Sequence, residues 1–101
     1  MKRVFISQPM NGKSEEAIQN KRNKAIKEVR EFFNDDVTII DSYLKDEHKE
    51  GTSTPCSMLG KAIQLLGTAD VAYFVDGWNA YRGCRFEYEI AKAYGIPVME
   101  E

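Results

Sequence analysis

Short apolar segments alternate with amphipathic helical segments along the whole chain, and this alternation restricts the fold more than any other feature. Residues 4–6, 37–40, 70–76 and 96–99 are mostly apolar or β-branched and predict four strands. Apolar residues at helical spacing predict three helices, over about residues 14–33, around 58–66, and over about 83–94. A strand that is always followed by a helix predicts parallel strands joined by right-handed crossovers.

The predicted fold class is therefore α/β: a small, doubly wound, Rossmann-like three-layer sandwich around a four-stranded parallel sheet. With 101 residues, the chain has room for a single domain over residues 1–101. We expect the strand order 2-1-3-4. Ligands in such sheets lie beyond the carboxyl ends of the strands, where the strand order reverses. This places a crevice between strands one and three, with residues 7–13 and 76–83 as its walls.

Composition excludes several classes of protein. The chain is 43% hydrophobic and 30% charged, which is typical of a folded globular domain and not of a disordered chain or a coiled coil. The charges nearly balance, at 14 basic and 16 acidic residues, so we expect no nucleic-acid partner. No apolar run approaches the roughly 18 residues of a membrane span, and none near the start resembles a signal peptide. Two cysteines, Cys56 and Cys84, are too few for a disulfide scaffold and lack metal-ligand spacing, which favours a reducing, cytoplasmic setting.

Glu87 is the strongest candidate for a functional residue. On a helical wheel of the third helix it falls inside the apolar arc, whose members are Phe86, Ile90, Ala91, Ala93 and Tyr94. Arg85, Tyr88 and Lys92 fall outside this arc and are expected to face water. A carboxylate among apolar neighbours is costly unless it is paired or hydrogen-bonded. Near a helix start it is expected to be ionised and half-sheltered, as a nucleophile or an acceptor for a sugar hydroxyl. The structural alternative is an ion pair with Arg22 or Arg82.

The turn over residues 7–14 ends in Gly-Lys-Ser but is not a P-loop, because Ser7 stands where a Walker A motif needs glycine. Its amide and hydroxyl groups precede a helix that Ser14 is expected to cap, so the turn can hold a phosphate or a sugar. Ser7, Met10, Asn11 and Gly12 are the candidate binding residues here. An ordinary turn is the alternative.

The loop after the third strand supplies the second set of candidates. Trp78 and Tyr81 can stack on a nucleobase, or they can pack on the loop or on another subunit. Asp76 can hold a ribose hydroxyl or simply cap the next turn. Arg22 interrupts the apolar stripe of the first helix, and it either reaches the sheet edge or contacts an anion. His48 is expected to be solvated, and a single histidine provides no metal site; we expect no metal and no cofactor.

Several segments resemble the nucleoside 2-deoxyribosyltransferase superfamily, and more closely an uncharacterised phage and bacterial branch grouped with it. The similarity covers nearly the whole chain, over residues 4–12, 59–63, 69–71, 82–87, 90–91 and 94–98. The superfamily places a nucleophilic glutamate four residues after a glycine, with an alanine four residues further on. Gly83, Glu87 and Ala91 match this spacing.

The resemblance implies that Glu87 attacks the anomeric carbon of a nucleoside or nucleotide, releases the base and forms a glycosyl ester. A second base or water then resolves the ester, as in retaining glycosidases. It also implies sites that a neighbouring subunit completes. Two supporting acids of the superfamily are missing, because Ala62 and Tyr81 stand at their positions. Tyr81, Asp76 and Lys61 are the candidate substitutes.

Two main hypotheses follow from these residues. The first is an N-glycoside hydrolase or deoxyribosyltransferase-like enzyme, with Gly83 and the loop residues binding a small nucleoside or nucleotide. The second is a binding module that holds such a ligand without cleaving it. A structural protein without a ligand is a third interpretation. A short edge strand and exposed aromatic residues favour a homo-oligomer in each case.

Overall fold

The computed structural model describes residues 1–42 and 54–101. Its strands are β1 (Lys2–Ser7), β2 (Val37–Ile39), β3 (Val71–Phe74) and β4 (Val98–Glu100), and its helices are α1 (Glu15–Phe32), α2 (Thr54–Leu66) and α3 (Arg82–Ala93). All three strand pairings are parallel, and the order is β2-β1-β3-β4. The predicted α/β fold and strand order are confirmed. The long connection before α2 lies largely outside the described residues, and so does His48.

Alternation along β1 divides the core into two layers. Val4 and Ile6 face α1 and join a buried cluster with Ala25 and Val29. Phe5 faces the opposite way and joins a second cluster that contains side chains of α2 and α3. Since successive side chains of a strand point to opposite faces, Ser7 is expected on the α2 and α3 side and Gln8 on the α1 side. Because they point to opposite faces of the sheet, Ser7 and Gln8 can contact different helices.

The helix ends follow the local sequence. Ser14 caps α1 by accepting a hydrogen bond from the Ala17 backbone amide at 3.1 Å, as predicted. After α1, Asn34 and Asp35 both adopt positive φ, which short polar side chains tolerate better than most. After α3, Gly95 takes a φ of 74°, in the left-handed region where glycine is favoured. Each connection thereby turns the chain back toward the sheet.

The prediction for the faces of α3 is wrong in part. The helix buries Cys84, Glu87 and Ala91, whereas Phe86 is 44% exposed and Tyr94 is 80% exposed. Ala93 is also exposed, while Tyr88, which was expected to face water, packs against the core cluster of α2 and α3. The small side chains at positions 84 and 91 let the helix lie close to the sheet, which turns the larger apolar residues outward. Glu87 consequently lies at the centre of the buried face.

Candidate functional site

A pocket of about 240 Å³ lies at the carboxyl edge of the sheet, beyond the ends of β1 and β3. The chain leaves β1 toward α1 on one face of the sheet, and α3, which follows β3, packs on the other face. This is the switch point at which doubly wound sheets bind ligands. The pocket approaches the lower end of the roughly 300 to 1,000 Å³ that small-molecule sites occupy.

Every layer of the fold contributes to the pocket wall. From β1 and the loop after it come Phe5, Ile6, Ser7, Gln8, Pro9, Met10 and Asn11; Arg22 comes from α1, and Ser42 follows β2. The remaining described lining residues are Pro55, Met58, Leu59 and Ala62 of α2, Tyr81 just before α3, and Gly83, Cys84 and Glu87 of α3. Most of the wall is apolar. Its charged members are one acid, Glu87, and one base, Arg22, among the described residues.

The Glu87 side chain points inward from the second turn of α3. Only 8% of the residue is exposed, and the Ser7 hydroxyl donates a hydrogen bond of 2.6 Å to its Oε1 atom. Burial raises the pKa of this carboxyl to about 7, while the hydrogen bond from Ser7 acts in the opposite direction. The expected carboxylate was ionised and half-sheltered. The structure instead buries the group, and this burial moves its pKa toward neutral.

Two further observations define the surroundings of Glu87. Within the described chain no basic side chain lies within 4 Å of its carboxylate, so an ion pair with Arg22 or Arg82 is not formed. The Cys84 thiol lines the pocket one helical turn earlier, and burial raises its pKa to about 11. The thiol therefore stays protonated at neutral pH and is a poor nucleophile. Of these two neighbouring groups, the Glu87 carboxyl is the one whose pKa lies near neutral.

Arg22 forms the second polar part of the pocket, on the α1 side of the sheet. It is only 7% exposed. Its Nη2 donates to the Ile40 carbonyl at 3.1 Å, and its Nη1 donates to Ser42 Oγ at 3.4 Å and to Gln8 Oε1 at 3.5 Å. All three acceptors are neutral oxygens, and burial lowers the pKa of the guanidinium. The sequence left open whether Arg22 reaches the sheet edge or contacts an anion. The hydrogen bond to Ile40, directly after the edge strand β2, is the contact with the sheet edge.

The structure brings together most of the site residues predicted from the sequence. Glu87 lines the pocket, and so do Ser7, Met10, Asn11, Tyr81 and Gly83. Gly12 does not line it; this glycine is exposed and adopts a φ of 79° in the turn before α1.

Asp76 and Trp78 also lie outside the pocket wall, so residues 76–80 do not form the expected second wall. The Trp78 ring stacks on Tyr88 at 4.3 Å between centroids and donates from Nε1 to Glu100. The Asp76 backbone amide donates to the Glu101 side chain at 2.8 Å. The indole thus packs against the core next to α3, and not on its own loop as the alternative from the sequence had it.

Several lining residues could not be identified from the sequence. Met58, Leu59 and Ala62 make α2 a wall of the pocket, but an apolar helix stripe looks the same whether it covers a core or a ligand. Gln8 is the exception, because a polar residue directly after a buried strand is a sequence signal for a site at the edge of the sheet. Its Nε2 donates to the Ile18 carbonyl at 3.0 Å, which holds its Oε1 toward Arg22.

The described residues offer neither a metal site nor a membrane-spanning helix. No group of three histidine, cysteine or acidic side chains in residues 1–42 and 54–101 could hold a metal ion. None of the described helices is long and apolar enough to cross a bilayer.

Comparisons with known proteins identify the family and support the fold. A crystal structure of a conserved protein from Enterococcus faecalis V583 has a similar fold, with a TM-score of 0.69 and 17% sequence identity. The alignment covers 99% of this chain but only 62% of that protein, so the chain spans less than two thirds of its length. The comparison with curated proteins finds no match. The model of a domain of unknown function, DUF4406, matches residues 2–100, and the chain belongs to this family.

Proposed function

We propose that the protein binds a nucleoside or nucleotide in this pocket and processes its N-glycosidic bond, with Glu87 as the nucleophile. The observation that carries the proposal is the Glu87 carboxyl itself. It is buried, hydrogen-bonded by Ser7 and located in a pocket at the switch point of the sheet. The resemblance of residues 83–91 to the nucleoside 2-deoxyribosyltransferase superfamily supports the same residue.

The reaction requires two displacements at the anomeric carbon. In the first, an oxygen of ionised Glu87 bonds to C1′ of the sugar, and the bond from C1′ to the base nitrogen breaks with its electron pair on the base. The base takes up a proton as it leaves. In the second, water or another base forms a bond to C1′ and the ester bond between Glu87 and C1′ breaks, which returns the carboxylate. The attacking group passes its proton to the group that protonated the departing base, and the outcome is hydrolysis or transfer with retained configuration. Ser7 holds Oε1 during the attack and leaves Oε2 as the attacking oxygen.

Protonation of the leaving base is the step for which this pocket offers the fewest groups. Ala62 and Tyr81 stand at the positions of the two superfamily acids, and both line the pocket. Of the three candidate substitutes, Tyr81 lines the pocket, whereas Asp76 and Lys61 do not. We therefore assign the Tyr81 hydroxyl as the donor to the departing base.

Base release tests this proposal. The protein is incubated with 2′-deoxynucleosides, their 5′-monophosphates and NAD, and free base is quantified by chromatography. We expect release by the native protein and its loss in Glu87→Gln. Glu89→Gln is the matched control, because Glu89 is an exposed acid on the same helix outside the pocket wall. Absence of release from every substrate, or equal release by Glu87→Gln, would falsify the proposal.

The second candidate function is a binding module that holds the same kind of ligand unchanged. Glu87 as the single carboxylate among the described lining residues favours it, because N-glycoside chemistry usually employs more than one acid. This function predicts that a nucleotide raises the melting temperature and is recovered intact. One-site linkage gives about 2.7 kcal/mol of added stability at about 100 times Kd. A ligand that stabilises the protein but loses its base excludes this alternative.

A further inference from the structure

The two charged side chains among the described pocket residues lie on opposite sides of the pocket. Glu87 lies on the side of α2 and α3 and contacts Ser7, whereas Arg22 lies on the α1 side and contacts Gln8. Ser7 and Gln8 are consecutive residues at the end of β1, so the acid and the base approach the pocket from opposite faces of the sheet. The proposed reaction uses Glu87 and leaves Arg22 without a role.

Arg22 is held in place by neutral groups that are themselves fixed. Ser42 Oγ donates to the Ile6 carbonyl at 3.0 Å, and the Gln8 amide is anchored to the Ile18 carbonyl. The guanidinium contacts at Ser42 and Gln8 are 3.4 and 3.5 Å long, at the weak end of the hydrogen-bond range. Ser42 and Gln8 therefore fix the position of the guanidinium, but their hydrogen bonds to it are weak.

The charge of Arg22 has no close counter-ion in the described part of the chain. No described carboxylate lies within 4 Å of the guanidinium, and Asp41, the acid that acts on it, is exposed. A buried cation that is paired only with neutral oxygens is costly. A guanidinium carries five N–H donors, and the described acceptors occupy three of them. An anionic ligand group would offset the cost and form charge-assisted hydrogen bonds.

We propose that Arg22 is the anchor of an oxyanion subsite, which selects ligands that carry a phosphate or carboxylate group on the α1 side of the pocket. The subsite rests on the proposed function only because both use the same pocket. Anion binding at Arg22 requires no reaction at Glu87. If the ligand is a nucleotide, its phosphate lies at Arg22 and its sugar lies at Glu87. A nucleoside without phosphate then binds more weakly than its monophosphate.

Calorimetric titration with inorganic phosphate and with acetate tests the subsite at pH 6, where most Glu87 is protonated. We expect saturable one-site binding of at least one of these anions to the native protein, with the stronger one identifying the ligand group. Arg22→Gln is expected to weaken binding about tenfold or more, since a charge-assisted contact contributes about 1.5 to 3 kcal/mol. Arg22→Lys keeps the charge but loses the planar fork, and we expect an intermediate loss. Arg30→Gln, an exposed arginine of the same helix, is the control and should bind like the native protein.

A measurement on the native protein guards against variants that fail to fold. The NMR signal of the Arg22 Nε–H group should shift during the same titration, with the same midpoint. Binding of neither anion to the native protein, or equal binding by a folded Arg22→Gln variant, overturns the subsite. Phosphate binding without any base release would support the subsite and contradict the proposed reaction, so the two failures are distinguishable.

Discussion

At the scale of single residues, the burial of the Glu87 carboxyl makes the stability of the fold depend on pH. Glu87 has a pKa of about 7 in the folded chain, against 4.5 for an exposed glutamate. The folded state therefore binds more protons than the unfolded state between these two values. The stabilisation that comes from the protonated form is complete below about pH 4.5 and is lost as the pH rises through about 7.

This proton linkage predicts a difference between the native protein and Glu87→Gln, whose amide stays neutral. We expect the variant to gain stability relative to the native protein between pH 5 and 8, by an amount on the order of 3 kcal/mol. Urea unfolding at several pH values measures the change. Glu89→Gln should show no such trend, and a constant difference between Glu87→Gln and the native protein would show that Glu87 titrates normally.

Ser7 gives a second prediction at this scale. Its hydrogen bond favours the ionised form of Glu87, so Ser7→Ala should raise the pKa of Glu87 further. The midpoint of the NMR titration of the Glu87 carboxyl carbon should move to higher pH, and the rise of base release with pH should move with it. Ser57→Ala, on the exposed side of α2, serves as the control. A midpoint that stays in place or falls would contradict the assigned contact.

At the scale of the elements, the turn after α3 depends on one backbone conformation. Gly95 has a φ of 74°, and a Cβ atom added there would meet nothing within 4 Å, so strain is the only cost of a side chain. We expect Gly95→Ala to destabilise the fold by about 1 kcal/mol. Gly60→Ala, in the exposed interior of α2, should instead stabilise it by about 0.5 to 1 kcal/mol. Chemical denaturation measures both, and the same sign for the two variants would contradict this interpretation.

The elements also show what the sequence could and could not predict. The strand order was predictable, because alternating strands and helices permit few topologies. The position of Glu87 on the inner face of α3 was also predictable, because the helical spacing put it among apolar residues, but the depth of its burial was not. The rotation of α3 about its axis was not predictable. A helical wheel places the large apolar residues Phe86 and Tyr94 on the buried face, whereas the helix buries the small residues Cys84 and Ala91. Trp78 looked available for stacking, but Tyr88 and Glu100 occupy its ring and its N–H group. Such partners are distant in sequence, and only tertiary contacts reveal them.

At the scale of the whole molecule, the outer side of α3 carries exposed aromatic rings, and from them we predict self-association. Phe86 on α3 and Tyr94 directly after the helix are 44% and 80% exposed, and Ile90 lies half-buried between them in sequence. We predict that the native chain is a homo-oligomer in light scattering and that Phe86→Ser combined with Tyr94→Ser shifts it toward monomer. Phe32→Ser, which removes an exposed aromatic ring from α1, should leave the mass unchanged. A monomeric native protein would argue against an assembly of this kind.

Residues from β1, α1, α2 and α3 line the pocket, so the position of a bound nucleotide tests the proposed function directly. The decisive measurement is a crystal structure of the Glu87→Gln protein with a 2′-deoxynucleoside 5′-monophosphate, so that cleavage does not remove the substrate. We predict the sugar C1′ in contact with the side chain at position 87 and the phosphate hydrogen-bonded to Arg22. A nucleotide that binds elsewhere on the molecule, with this pocket empty, would contradict the role assigned to Glu87.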